Sequence, residues 1–295
     1  RFPAAANGAV TVKPGLGRIP AWNSTQKNER GMLAQSMSVQ GLLTRSVGDL
    51  DLAMPAMVVS DAHDPFHVPL EYRLASVDAP LRVAFCRETP GFDTHPDVAK
   101  ALQNAADALT DAGYQVEEKN IPFLKETGNC GFRALMGEVS VMMGKDIREY
   151  GSETIQNIFT EYFKYFPPFE GDELIKIMAK RTYYARKWSL FLKDYPLILS
   201  PFLPQPFFAP GRDSEGAAGV KDVLGSALWS YSMNFIGQPA GCMPTHIAKL
   251  ESNIQPVNIQ IIGQRWREDL IVDAMSAIES RVGTFQNQLW AQMDK

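Results

Sequence analysis

The stretch that most restricts the fold runs from Leu81 to Glu118. Leu81-Arg82-Val83-Ala84-Phe85-Cys86 is short and apolar, and Val98, Ala101, Leu102, Ala105, Leu109 and Ala112 then recur at helical spacing from His95 onward. Gly113 stands where a helix would end, and Tyr114 to Glu118 reads as a second strand. Two strands joined through a helix of that length pair in parallel by a right-handed crossover, and a sheet built that way needs helices over it. The expected class is α/β, a sheet covered by helices.

The flanking segments fit that frame. Ser46 with Asp49 three residues on is a capping signal, after which Val47, Leu50, Met54 and Met57 fall on one helix face and Pro55 is placed to kink or end the last turn. Ala21 to Gln35 is polar and without period, a surface loop, and residues 60 to 80 carry three prolines and read as a connector. From Phe132 to Tyr195 the chain is helical and rich in aromatics; Leu174, Ile177, Met178, Arg181, Ala185, Trp188 and Phe191 mark one long face, suited to a core or a lid. Leu197 to Ser200 is a short buried strand, and Pro201 to Gly211 follows with four prolines and three phenylalanines. A rigid loop directly after a strand lies at the strand's carboxyl end, where open α/β sheets place ligands. Pro256 to Ile262 alternates as a strand, and Arg267 to Val282 is an amphipathic helix with Glu268 and Asp269 in its first turn. The 295 residues are read as one domain, with Phe132–Tyr195 a lid-like helical insertion.

Charge narrows the partners. With 29 basic against 33 acidic residues, a net charge of -4 and no block of like charge, nothing draws this chain to nucleic acid or to an anionic membrane. No apolar run reaches about 18 residues, and Cys86, Cys130 and Cys242 are odd in number and far apart, so a cytoplasmic protein with a small or neutral substrate is expected. There is no G-x-S-x-G elbow, and none of His63, His67, His95 and His246 is placed as a triad base. His63 and His67 could share a helix face as metal ligands, but Pro65 between them favours a solvated loop. Cys242 and His246 are readable as a thiol and base or as a buried small hydrophobe and its neighbour. Gly15-x-Gly17 beside Lys13 and Arg18 lacks the rest of a phosphate loop and reads as turn chemistry. No cofactor and no metal are called for.

A family resemblance gives the opening residues meaning. Arg1-Phe2-Pro3-Ala4, with Asn7-Gly8 and Lys13-Pro14-x-x-Gly17-Arg18, resembles the end of the amidase signature. Gly41-x-x-Thr44-Arg45-Ser46-Val47-x-Asp49-Leu50 is similar to that family's helix start, with Leu42 where proline is usual, and Pro80-Leu81-Arg82-Val83 to its strand entry. Tyr195-Pro196-Leu197-Ile198-Leu199-Ser200-Pro201 departs from it by Pro196 in place of aspartate. Asn234-x-x-Gly237-Gln238-Pro239-Ala240-x-x-x-Pro244, then Pro256-Val257-x-Ile259-Gln260-Ile261-Ile262-Gly263 with Glu268-Asp269, complete the order.

The resemblance implies an amidase-signature α/β/α fold, a mixed twisted sheet covered by helices on both faces, and hydrolysis of a small carboxamide by a serine, a bridging serine and a lysine. All three precede the arginine that is Arg1 here, so it also implies that these residues are the C-terminal two-thirds of an amidase, with no catalytic residue among them and with the N-terminal segment of the same protein as partner. The runner-up is an inactive scaffold or binding subunit of the same fold. Gln40, Gly41, Phe202, Phe207, Phe208, Met233, Phe235 and Cys242 are the implied substrate walls, an apolar pocket for an aryl or alkyl amide; the same residues are equally readable as packing at the sheet end. Without the preceding strands and helices, apolar faces and an unpaired edge would be left to cover, by that segment or by a homodimer.

Overall fold

Alternation along the strands decides the architecture. The structure, a computed structural model, describes residues 1–75, 77, 80–250 and 254–293. Its strands are β1 (Thr11–Lys13), β2 (Arg82–Phe85), β3 (Gln115–Glu118), β4 (Leu197–Pro201), β5 (Ala240–Lys249) and β6 (Ile254–Gly263), joined in one sheet of order β1-β5-β6-β4-β2-β3. Strand β2 pairs in parallel with β3 and β4, while β6 is antiparallel to β4 and β5, and β1 to β5. The predicted crossover is therefore present, within a mixed sheet.

The helices are α1 (Phe2–Asn7), α2 (Met32–Met37), α3 (Val47–Met57), α4 (Pro96–Asp111), α5 (Leu124–Met142), α6 (Gly144–Tyr150), α7 (Glu153–Tyr165), α8 (Gly171–Asp194), α9 (Gly216–Val223), α10 (Leu228–Ile236), α11 (Glu268–Val282) and α12 (Gln286–Met293). Val83, Phe85, Leu197, Leu199, Ile259 and Ile261 face one layer, where they bury against Leu50 and Met54 of α3, Leu102 and Leu109 of α4, and Ile271 and Met275 of α11. Ala84, Ile198, Ala240, Cys242 and Ile262 face the other, against Phe132 of α5, Trp188 of α8, and Trp229 and Phe235 of α10. Each large apolar side chain among these contributes roughly 1.5–3 kcal/mol by leaving water, so the two layers hold the sheet between them.

Local signals explain most boundaries. Ser46 Oγ accepts from the Asp49 N–H at 3.1 Å and starts α3, which carries Pro55 in its last turn and runs on to Met57. His95 Nδ1 accepts from the Asp97 N–H at 3.2 Å with Pro96 at the first turn of α4, and Gly113 leaves that helix at φ +91°.

Three departures have physical causes. The polar loop contains α2, whose first-turn N–H groups at Leu33 and Ala34 donate to the Glu138 carboxylate at 2.7 and 2.8 Å; its cap comes from α5, over a hundred residues on. Residues 240–244, to which the sequence reading assigned no strand, open β5, where an irregularity between Pro244 and His246 interrupts the alternation. The helical region begins at Leu124 rather than Phe132; Gly128 and Gly131 on α5 weaken the helical pattern yet allow α10 to approach, since a methyl at Gly131 would lie 2.4 Å from Phe235. Of the connector at 60–80, Ser76, Asp78 and Ala79 lie outside the described residues. Among the described residues no helix is long and apolar enough to cross a membrane.

Candidate active site

Arg1 ties the start of α1 to β6 and α10. Its guanidinium donates to Gln260 Oε1 at 2.6 Å, to Asn234 Oδ1 at 2.5 Å and to the Ser230 carbonyl at 3.0 Å, while Gln260 Nε2 reaches Ser200 Oγ at 3.5 Å. The residue as a whole is only half-buried, but the guanidinium lies deep, and burial lowers its pKa to about 10 against the opposing pull of Cys242. Three acceptors from two elements fix it in one orientation.

Phe2 continues from this anchor into an aromatic group. Its ring meets Phe202 edge-on at 5.2 Å and Phe207 at 6.0 Å, and lies tilted over Phe208 at 6.3 Å. Phe2, Phe207 and Phe208 form one wall of an open cavity of about 880 Å³, with Arg45, Arg212 and Trp290 on the other sides. The Arg45 guanidinium stacks 4.6 Å above the Trp290 ring, so the C-terminal helix closes that side by a cation–π contact.

The wall residues expected from sequence divide into two groups. Phe207 and Phe208 face the cavity, and Phe202 is buried behind Phe2, lining a narrow pocket with Phe207 and Pro256. Met233 and Phe235 on α10 and Cys242 on β5 have no accessible surface and lie in the core on that face of the sheet. Gln40 and Gly41 are exposed, and Gly41 sits against β1, where a methyl would meet the Val12 carbonyl at 2.8 Å. The structure thus brings the phenylalanines together with Phe2 and leaves the other five away from that cavity.

Cys242 and His246 do not pair. Burial raises the Cys242 thiol to about 11 although Arg1 and a 3.5 Å contact from Asn258 Nδ2 pull it down, and His246 Nε2 lies 3.0 Å from Asp97 on α4. His63 Nδ1 lies 2.7 Å from Asp61 and its ring stacks on Trp22; among the described residues no group of three or more His, Cys, Asp or Glu could hold a metal ion.

A buried charge system escaped the sequence reading. Arg18 and Glu268 are both fully buried, with Nε and Oε2 3.3 Å apart; Glu268 Oε1 accepts from the Gly15 N–H at 2.8 Å, and Arg18 donates to the carbonyls of Leu70, Glu71 and Tyr72. The Gly15–Gly17 turn therefore cradles a carboxylate of the protein itself. Burial raises the Glu268 carboxyl, opposed by the Gly15 N–H and then by Arg18 and Lys13. Lys13 is held well below the usual lysine value by burial first and then by repulsion from Arg1, Arg265 and Arg181, with Glu268 opposing. The visible signal for this system was the basic–glycine run at 13–18 facing the acidic start of α11; Arg181 showed only as the one cation on the long helical face, and Arg265 gave no signal.

The comparisons with known proteins give the family and the fold. A family model described as Amidase matches residues 1–272. The chain belongs to the amidase family. Among its amidase relatives, an indoleacetamide hydrolase of Bradyrhizobium diazoefficiens is 35% identical over 295 residues, covering 100% of this chain and 56% of that protein. One component of the glutamyl-tRNA(Gln) amidotransferase of Mesorhizobium japonicum is 24% identical over 98% of this chain and 59% of its own length. The chain spans rather more than half of these curated relatives. A bacterial aryl acylamidase of the amidase signature family superposes with a TM-score of 0.74 at 19% identity, over 100% of this chain and 62% of that one, which is a likeness of fold.

Proposed function

We propose that the complete protein hydrolyses the C–N bond of a small carboxamide with an aromatic acyl group, through an acyl-enzyme on a serine that precedes Arg1. The observation that carries this reading is the aromatic wall of Phe2, Phe207 and Phe208, which begins one residue after the anchored Arg1. In the family pattern the nucleophile stands two positions ahead of that arginine. At roughly 3.5 Å per residue, it lies within about 7 Å of the Arg1 Cα. The relative whose name includes indoleacetamide makes indole-3-acetamide the first substrate to try.

The chemistry follows from the family's serine, bridging serine and lysine. The serine oxygen attacks the amide carbon while its proton passes through the bridging hydroxyl to the lysine, and backbone N–H groups hold the oxyanion. Collapse breaks the C–N bond, and the nitrogen leaves as ammonia with that proton. Water then attacks the ester, releasing the acid and restoring the serine. In this scheme Arg1 positions the nucleophile's segment without touching substrate, and the phenylalanines bind the ring.

The test is ammonia release by the complete protein from indole-3-acetamide, benzamide and hexanamide. Turnover is expected on the aryl substrates, and Phe208→Ala should raise KM for indole-3-acetamide about tenfold, the equivalent of ~1.4 kcal/mol of ring contact. No ammonia from any of the three contradicts the proposal.

A further inference from the structure

Two arginines converge on one turn, and among the described residues no acid meets them. Arg181, on α8, donates through Nε to the Phe235 carbonyl and through Nη2 to the Ser36 carbonyl at 3.4 Å; Arg265, just after β6, donates through Nη2 to the Ile236 carbonyl at 2.6 Å. Gly237 follows α10 at φ +69°, and a methyl there would meet Arg181 Nη2 at 3.0 Å and Arg265 Nη2 at 3.1 Å. The two guanidiniums therefore flank a common point and lie no more than about 6 Å apart. Both side chains are half-buried, so each keeps surface open to a ligand.

The charges do not balance locally. Among the described residues, no carboxylate lies within ion-pair distance of Arg181, Arg265 or Lys13; Glu268 is already engaged by Arg18 and Gly15. The carbonyls at the end of α10 supply about half a negative charge, against two guanidiniums. Burial, with repulsion from Arg265 added, lowers Arg181 to about 10, and burial lowers Arg265 as well. Like charges in a partly desolvated place are unfavourable unless an anion joins them.

We propose that Arg181 and Arg265 form a carboxylate-binding site at the Gly237 turn. A planar carboxylate accepting from one guanidinium through each oxygen, at about 2.8 Å, spans a gap of this size, and the N–H groups left over on each fork can meet it. The carboxylate is either an acidic side chain of the complete protein or a free small acid, and the experiment separates the two.

The complete protein in chloride buffer is melted against increasing sodium acetate at constant ionic strength, and its crystal structure is determined with and without acetate. For a free acid, the melting temperature of the wild type rises saturably by about 2–4 °C, Arg265→Gln removes the rise and Arg265→Lys, which keeps the charge but not the fork, weakens it. For an internal acid, acetate has no effect, and the crystal structure shows an Asp or Glu oxygen within about 3.5 Å of both guanidiniums. An acetate response that survives in Arg265→Gln, or no response together with no carboxylate near both groups, overturns the proposal. Should Arg265→Gln fail to fold, Arg181→Lys and Arg265→Lys carry the comparison.

Discussion

Arg18 and the pair Arg181–Arg265 show two ways of holding a cation in the same molecule. Arg18 is fully buried, meets three carbonyls and a buried carboxylate, and closes a loop to the start of α11. Arg181 and Arg265 are half-buried, meet only carbonyls among the described residues, and push on one another and on Lys13. The first arrangement is self-sufficient and belongs to the fold. The second leaves charge over, and charge left over beside the Gly237 turn points outward to a ligand.

Breaking the self-sufficient pair should have the largest effect. Glu268→Gln leaves Arg18 buried without a counter-charge, and denaturant unfolding should register a loss of about 3–5 kcal/mol; a loss under about 1 kcal/mol would remove the distinction between the two sites. Gly237→Ala comes next. It places a side chain in the left-handed region and against both guanidiniums, so about 1–2 kcal/mol of stability and the acetate response should go together; loss of stability alone would detach the turn from the site.

Lys13→Met should act in the opposite direction. A lysine whose folded-state pKa lies below its unfolded value holds fewer protons folded than unfolded between the two, so stability rises with pH through that window. The methionine variant should therefore be more stable than wild type near neutral pH, with the gain fading as the pH approaches about 10.5. A gain that does not change with pH would assign it to packing. The smallest effect is expected at Cys242, where a thiol raised to about 11 and fully buried should escape iodoacetamide in the native protein at pH 8 while reacting after unfolding.

How much of this was legible in the sequence follows from how local each signal is. The crossover from β2 through α4 to β3 could be read because hydrophobic spacing, a terminal glycine and strand length all lie within about forty residues. The Ser46–Asp49 cap was equally local. Helix α2 was not, since its cap is Glu138 on α5, and β1 is too short for any period to show. Strand β5 hid behind Pro244 and an irregular register. At the candidate site, the phenylalanine-rich loop announced itself by composition, whereas its meeting with Phe2 depends on α1 lying beside β6. The cation group draws on Lys13, Arg181 and Arg265, from three distant segments, and nothing local to any one of them shows that they meet.

The aromatic cavity next to Arg1 carries the functional reading, and one ratio tests it directly. The kcat/KM for indole-3-acetamide divided by that for hexanamide, measured on the complete protein and on Phe208→Ala, should be well above one in the wild type and fall about tenfold in the variant. An unchanged ratio, with both substrates still turned over, would show that the acyl group binds elsewhere.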